Sequence, residues 1–262
     1  MYPAVAANFK KGKGGLYMAE WVSGVAPDAA DLGVRVGNCE SITYGPTDVQ
    51  TSEKYSSTQN NRPLLLKQVD QVGYQLSAQC DEHTKDNLLA FFGASSESVV
   101  QSSGNSTKNL ANVQPGRAYL IGSFLLSSVV VMEGSVVKTL NTDYRLYPER
   151  GVIEIIDGGS IIANDDITVE FTRAAKTYTR LSVGQTINRT VKLAYFADDA
   201  NTGGAGAKDI IIIPKCAVVM DGEYQLISDD FGTFNLQFDV LDDSDTYPGR
   251  GLGWIERGAA VA

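Results

Sequence analysis

Residues 64–80 read Leu-Leu-Leu-Lys-Gln-Val-Asp-Gln-Val-Gly-Tyr-Gln-Leu-Ser-Ala-Gln-Cys. In its second half, Val72, Tyr74, Leu76 and Ala78 alternate with Gly73, Gln75, Ser77 and Gln79. A period of two marks a strand, because successive side chains point to opposite faces of a pleated chain. Upstream, Val34, Val36, Ile42 and Tyr44 form a strand-like run broken at Gly37-Asn38, and Thr47 to Tyr55 is polar with β-branched residues interleaved. Between the two runs lie Ser56, Ser57, Thr58, Gln59, Asn60, Asn61, Arg62 and Pro63, a loop by composition. The expectation is a long hairpin of strand, polar loop and strand.

Moving outward, one helix stands out. Asp81 to Thr84 supply capping residues, and Asp86 falls in the first turn, where the helix dipole favours a carboxylate. Leu88, Leu89, Phe91 and Phe92 give the apolar face, and Gly93 stops the helix. A helix this short needs a sheet to pack on. Ser95 to Asn112 reads as a Ser/Asn-rich linker. Residues 113–178 alternate strands with turns at Glu133-Gly134 and Asp157-Gly158-Gly159, and read as an inserted β subdomain. In the last third, Ile210 to Ile213 is an apolar run of the kind found in buried strands, and Phe234, Leu236, Phe238 and Val240 alternate with polar residues. Residues 1–33 show weak periodicity and read as an N-terminal arm. The organisation expected is a core domain from 34–112 and 179–262, interrupted by the insert. The chain should be mainly β, with one packed α-helix.

Composition narrows the function classes. The net charge is -9, so a surface that grips nucleic acid through clustered Lys and Arg is not expected. Cys39, Cys80 and Cys216 are odd in number and form no C-x-x-C pair. A disulfide framework and a zinc site are therefore not expected, and separate thiols suggest a reducing site of synthesis. No run reaches the roughly 18 apolar residues a membrane span needs, and the first fifteen residues do not read as a signal peptide.

Candidate chemistry is sparse. His83 is the only histidine, so any Ser-His-Asp or Cys-His arrangement must pass through it. Its place beside Asp81 and Glu82 reads as a solvated helix start. Gly12-Lys13-Gly14-Gly15 lacks the spacing of a phosphate loop and reads as a basic arm. Asp242, Asp243 and Asp245 fail the spacing of a calcium loop, because Thr246 and Pro248 stand at later ligand positions. Trp21 and Trp254, both near the termini, do not furnish a sugar-stacking groove. No catalytic residue, metal or cofactor is expected.

The order of motifs is what remains. Gly37-Asn38-Cys39-Glu40-Ser41-Ile42-Thr43 is followed by Glu53-Lys54-Tyr55-Ser56-Ser57, then by the 64–80 strand and the helix ending at Gly93. This order resembles the major tail tube proteins of long-tailed, siphovirus-like bacteriophages. It covers about residues 34–94, and 188–241 match more loosely. The resemblance implies a β-sandwich or barrel core with one helix. It implies a structural virion protein, made in the host bacterial cytoplasm, whose copies form rings, six to a ring in the family's manner, stacked into a tube that conducts DNA during ejection. The partners it implies are further copies of the chain, the tail terminator, tape measure and baseplate proteins, and viral DNA passing without specific binding. No membrane partner is expected. Asp48, Gln50, Ser52 and Glu53 are candidate lumen-facing residues, with Glu53 requiring a bulge or bend, and Ser56 to Pro63 form the candidate inter-ring loop. Three other readings stand beside it: a tail terminator or baseplate hub, an enzyme on a β-sandwich such as a polysaccharide-degrading virion protein, and a β-sandwich surface-binding module.

Overall fold

A computed structural model describes residues 12–199, 209–220, 222–227, 229 and 231–257. The chain is mainly β and divides into two compact units, residues 1–95 with 181–262, and residues 96–180. The elements in chain order begin with β1 (Gly12–Glu20), β2 (Val34–Arg35), β3 (Cys39–Tyr55), β4 (Leu64–Cys80) and α1 (Lys85–Phe91). They continue with β5 (Ser95–Gln101), β6 (Gly104–Val113), β7 (Ala118–Leu120), β8 (Leu126–Glu133), β9 (Val136–Val137), β10 (Tyr144–Tyr147), β11 (Val152–Ile155), β12 (Asp165–Arg173) and β13 (Lys176–Ser182). The last four are β14 (Thr190–Asp199), β15 (Asp209–Val219), β16 (Phe234–Val240) and β17 (Trp254–Arg257). Among the described residues no helix is long and apolar enough to cross a membrane.

The first unit is one sheet in the order β2-β1-β14-β15-β16-β4-β3, with β17 also paired to β15. Its inner face is built by alternation. Phe234, Leu236 and Phe238 of β16, Leu76, Ala78 and Cys80 of β4, and Leu16 and Met18 of β1 are all buried in one cluster with Ala90 and Phe91 of α1. The helix is set by Thr84, whose hydroxyl accepts the Asn87 N–H at 3.2 Å. The preceding acids do something else. Asn38 donates its N–H to Glu82 Oε2 at 2.9 Å and its amide to both carboxylate oxygens of Asp81 at 2.8 and 2.7 Å. Asp81 and Glu82 thus clamp the Gly37-Asn38 turn, where Gly37 adopts φ +94.

Several expectations need correcting. Gly12–Glu20 is not an arm but β1, paired with β14 from Gly12↔Asp199 to Glu20↔Val191. Its glycines hide the period, and at Gly14 a Cβ would lie 2.6 Å from the Tyr195 ring, so the residue is small because the ring occupies that space. The rest of the expected arm, residues 1–11, lies outside the described residues. Residues 28–31 are also tied down: the buried Lys192 donates Nζ to the carbonyls of Asp28, Ala29 and Asp31 at 3.2, 2.8 and 2.9 Å. Ile210, Ile211 and Ile212 are only half-buried, and Ile213 alone is fully enclosed. Cys39 and Cys80 are not separate thiols: they are cross-strand partners at the start of β3 and end of β4 and form a disulfide. Cys216 is the free thiol, and burial raises its pKa.

The second unit packs the sheets β6-β12-β8-β9 and β10-β11-β7 around one core that includes Val131, Ile153, Ile155, Ile167, Val169 and Phe171. β5 and β13 pair with each other. The unit begins at residue 96 where the insert was expected from 113, because Ser95–Gln101 and Gly104–Val113 are strands and not a linker. β6 is an edge strand with mostly exposed Ser, Thr, Lys and Asn side chains, so its composition mimics a loop. A polar cluster locks two turns of this unit. Asp143 accepts the N–H groups of Thr139 at 2.7 Å and Ser160 at 2.8 Å, while Lys138 donates to Ser160 Oγ at 3.1 Å and pairs with Glu133.

Candidate assembly surface

The hairpin β3–β4 changes character along its length. At its base, β4 is flanked on its other side by β16, from Phe234↔Cys80 to Asp239↔Gln75. Beyond Gln75, β4 pairs only with β3, so residues 46–74 continue as a two-stranded ribbon. Eleven residues of β4, from Tyr74 to Leu64, at a strand rise of about 3.4 Å each, extend roughly 35 Å. A two-stranded ribbon is at best marginally stable alone in water. This one also leaves large apolar groups wet on both sides: Leu66 and Val69, three residues apart in the stretch paired regularly with Thr51 to Lys54 and so oppositely directed, are 55% and 54% exposed. Val49, Tyr55, Leu64 and Leu65 are exposed as well.

Polar clips hold the ribbon. Lys67 Nζ donates to Glu53 Oε1 at 2.8 Å, and Tyr55 donates its hydroxyl to Glu53 Oε2 at 2.6 Å. The Lys67 hydrogen bond first, then the Tyr55 hydroxyl, lowers the Glu53 pKa and keeps it ionised. Ser52 hydrogen-bonds Asp70. The ribbon's charges balance, with Asp48, Glu53 and Asp70 set against Lys54, Arg62 and Lys67, whereas the chain as a whole carries -9.

Two bulges near the middle of the ribbon and a third at Leu65 interrupt the pairing, the last between Lys54↔Leu66 and Tyr55↔Leu64. β3 carries an extra residue between Thr47 and Gln50, where Asp48 adopts φ +48, and β4 carries one between Gln71 and Val69. The first two offsets cancel, so Thr51 to Lys54 pair regularly with Val69 to Leu66. Asp48, Gln50, Ser52 and Glu53 all lie on this exposed ribbon. Ser52 and Glu53 are consecutive in an unbulged stretch and therefore face opposite sides. The loop Ser56 to Pro63 carries its own hydrogen bonds: Ser56 N–H to Pro63 O at 2.9 Å and Arg62 N–H to Gln59 O at 3.0 Å. Ser56 is buried within it.

The residues weighed for chemistry are engaged elsewhere. His83 Nε2 faces the Gly232 carbonyl at 3.0 Å and donates to it, and Nδ1 shares a hydrogen bond with the Tyr224 hydroxyl at 3.0 Å. Its ring also packs on Phe234. Asp242 accepts from the Ser244 N–H at 3.2 Å and Asp243 from the Thr246 hydroxyl at 3.1 Å. Among the described residues no group of three His, Cys, Asp or Glu side chains is placed to hold a metal. Sequence reasoning missed the three nearly bare apolar residues Leu226, Ile227 and Phe231, which are 86%, 90% and 94% exposed between β15 and β16. Without an alternating partner pattern, nothing in the sequence distinguishes them from core residues.

These features define a two-unit, mainly β protein with a projecting two-stranded ribbon. The chain belongs to the family described as "Protein of unknown function UCP028589", whose model matches residues 10–254. No curated protein matches it significantly.

Proposed function

We propose that the chain is a non-enzymatic structural subunit that polymerises through the β3–β4 ribbon, and that the polymer is a phage tail tube. The ribbon carries this reading. It holds exposed apolar side chains on both faces and no net charge, and among the described residues no strand pairs with the outer edge of β3. Such an edge is an aggregation hazard unless it has a designated partner. A second copy supplies one with no other component. In this reading Ser56 to Pro63 contact the next ring, and the tube lies in the virion, where it meets terminator, tape measure and baseplate proteins and lets DNA pass.

Purified protein at high concentration should form stacked rings or tubes in negative-stain micrographs. Deletion of Ser56 to Asn61 should leave a folded monomer that does not stack. Isolated single rings from the intact chain would instead indicate a terminator or baseplate hub, and a monomer under all conditions would sink the reading.

A further inference from the structure

The second unit holds a cavity of about 240 Å³ whose lining includes Gln101, Ser102, Gly122, Ser123, Arg173 and Tyr178, beside Val99 and Val100. Arg173 closes β12, and its Nε is shut off from solvent with no hydrogen-bond partner. Its guanidinium has no carboxylate among the ion pairs of the described residues. A buried charged donor left without an acceptor is costly, and native proteins seldom leave one so. Gln101 does not serve it. Its Oε1 already accepts the Phe124 N–H at 2.9 Å, and its Nε2 donates to Phe124 O at 2.9 Å and Ala174 O at 2.7 Å.

The rest of the lining is also rich in donors. The backbone N–H groups of Gly122 and Ser123 hydrogen-bond to no described residue, and Gly122 adopts φ +87. A left-handed residue in such a pair is the geometry that turns successive N–H groups toward one anion. Ser102 and the buried Ser123 add hydroxyls, and no carboxylate lines the cavity. Lys176 lies 4.9 Å over the Phe124 ring, which packs on Tyr178 at 4.9 Å, and so brings a second positive charge close by. The neighbouring Arg180 is already paired with Glu97 at 2.6 Å.

We propose that this cavity is a binding site for a small tetrahedral oxyanion of the phosphate class. Arg173 supplies the charge and its planar donor fork, the Gly122–Ser123 amides supply fixed dipoles, and the two serine hydroxyls complete the shell. In a chain of net charge -9, an anion is repelled in general, so saturable binding reports this site.

The test titrates the full chain with sodium phosphate at constant ionic strength, followed by calorimetry. One phosphate should bind per chain, sulfate should compete, and acetate should bind more weakly. Arg173→Gln should weaken phosphate binding at least about tenfold, and Ser102→Ala by about threefold. Absence of saturable phosphate binding by the unaltered protein overturns the proposal whatever the variants do. So does binding that survives Arg173→Gln in a folded protein, or acetate binding as tightly as phosphate.

Discussion

Asn87 shows how one polar side chain can hold two elements together. It lies buried in α1 and donates Nδ2 to Val36 O at 2.6 Å and Glu82 O at 2.9 Å. Asn87→Leu strands the buried Val36 carbonyl, while Glu82 O keeps its bond from the Thr84 N–H at 3.0 Å, and should lower stability by about 1–3 kcal/mol in urea unfolding. A change within about 0.5 kcal/mol would mean that water satisfies that carbonyl. Asp143 gives a pH signature. The Thr139 N–H and then the Ser160 N–H stabilise its carboxylate and lower its pKa. A lowered folded pKa means that the unfolded chain binds the proton more readily. Its stabilisation is therefore complete above the unfolded value of about 3.9 and is lost as pH falls through the folded value. Asp143→Asn should flatten the acid limb of the stability curve below about pH 4, and an unchanged slope there would remove Asp143 from the account. Neither role was legible in the sequence. Asn87 sits among ordinary helix-surface residues, and Asp143 in a turn where Asp is common for local reasons.

At the scale of elements, the alternation in 72–78 and the Thr84–Gly93 helix were readable because the apolar period survives undisturbed. β1 and β6 were not, since glycines erase the period in one and an exposed edge permits polar residues in the other. The Cys39–Cys80 bond was missed because an odd cysteine count says nothing about two residues that register brings face to face. It closes a loop of sequence separation 41 that contains the entire ribbon. By the chain-entropy relation, such a loop is worth up to about 4 kcal/mol. The double substitution Cys39→Ser, Cys80→Ser should approach that loss, and reductant should destabilise the native protein but not the double variant. Identical unfolding with and without reductant would show the sulfurs unbonded in solution.

At the scale of the molecule, the sequence disclosed an interrupted organisation, though it placed the first boundary seventeen residues late, at 113 against 96. The buried cluster of the first unit contains no residue of 96–180. Replacing 96–180 by a short Gly/Ser linker should therefore leave a cooperatively folding first unit that still polymerises. Loss of assembly with retained folding would make the second unit part of the contact between copies. Charge bears on the proposed conduit. DNA carries about one charge per 1.7 Å of duplex, so a basic lining would hold it. Asp48→Lys with Glu53→Lys should slow genome ejection at low salt, with relief at high salt, if these residues face the lumen. Ejection unchanged at every salt concentration would place them elsewhere.

The order of the strands also sets a timetable. β4 leaves the ribosome long before β16, its partner in the sheet, since Gln79 and Thr233 touch across 154 residues of chain. At roughly 5–20 residues per second, that interval lasts about 8–30 s. The second unit is contiguous and can finish folding within it, while the β3–β4 hairpin waits with one flank open and its leucines wet. The nascent chain is thus most vulnerable to premature association through the same ribbon that the finished protein presents. Synthesis rate and chaperone supply should govern the yield of this protein more than its final stability does.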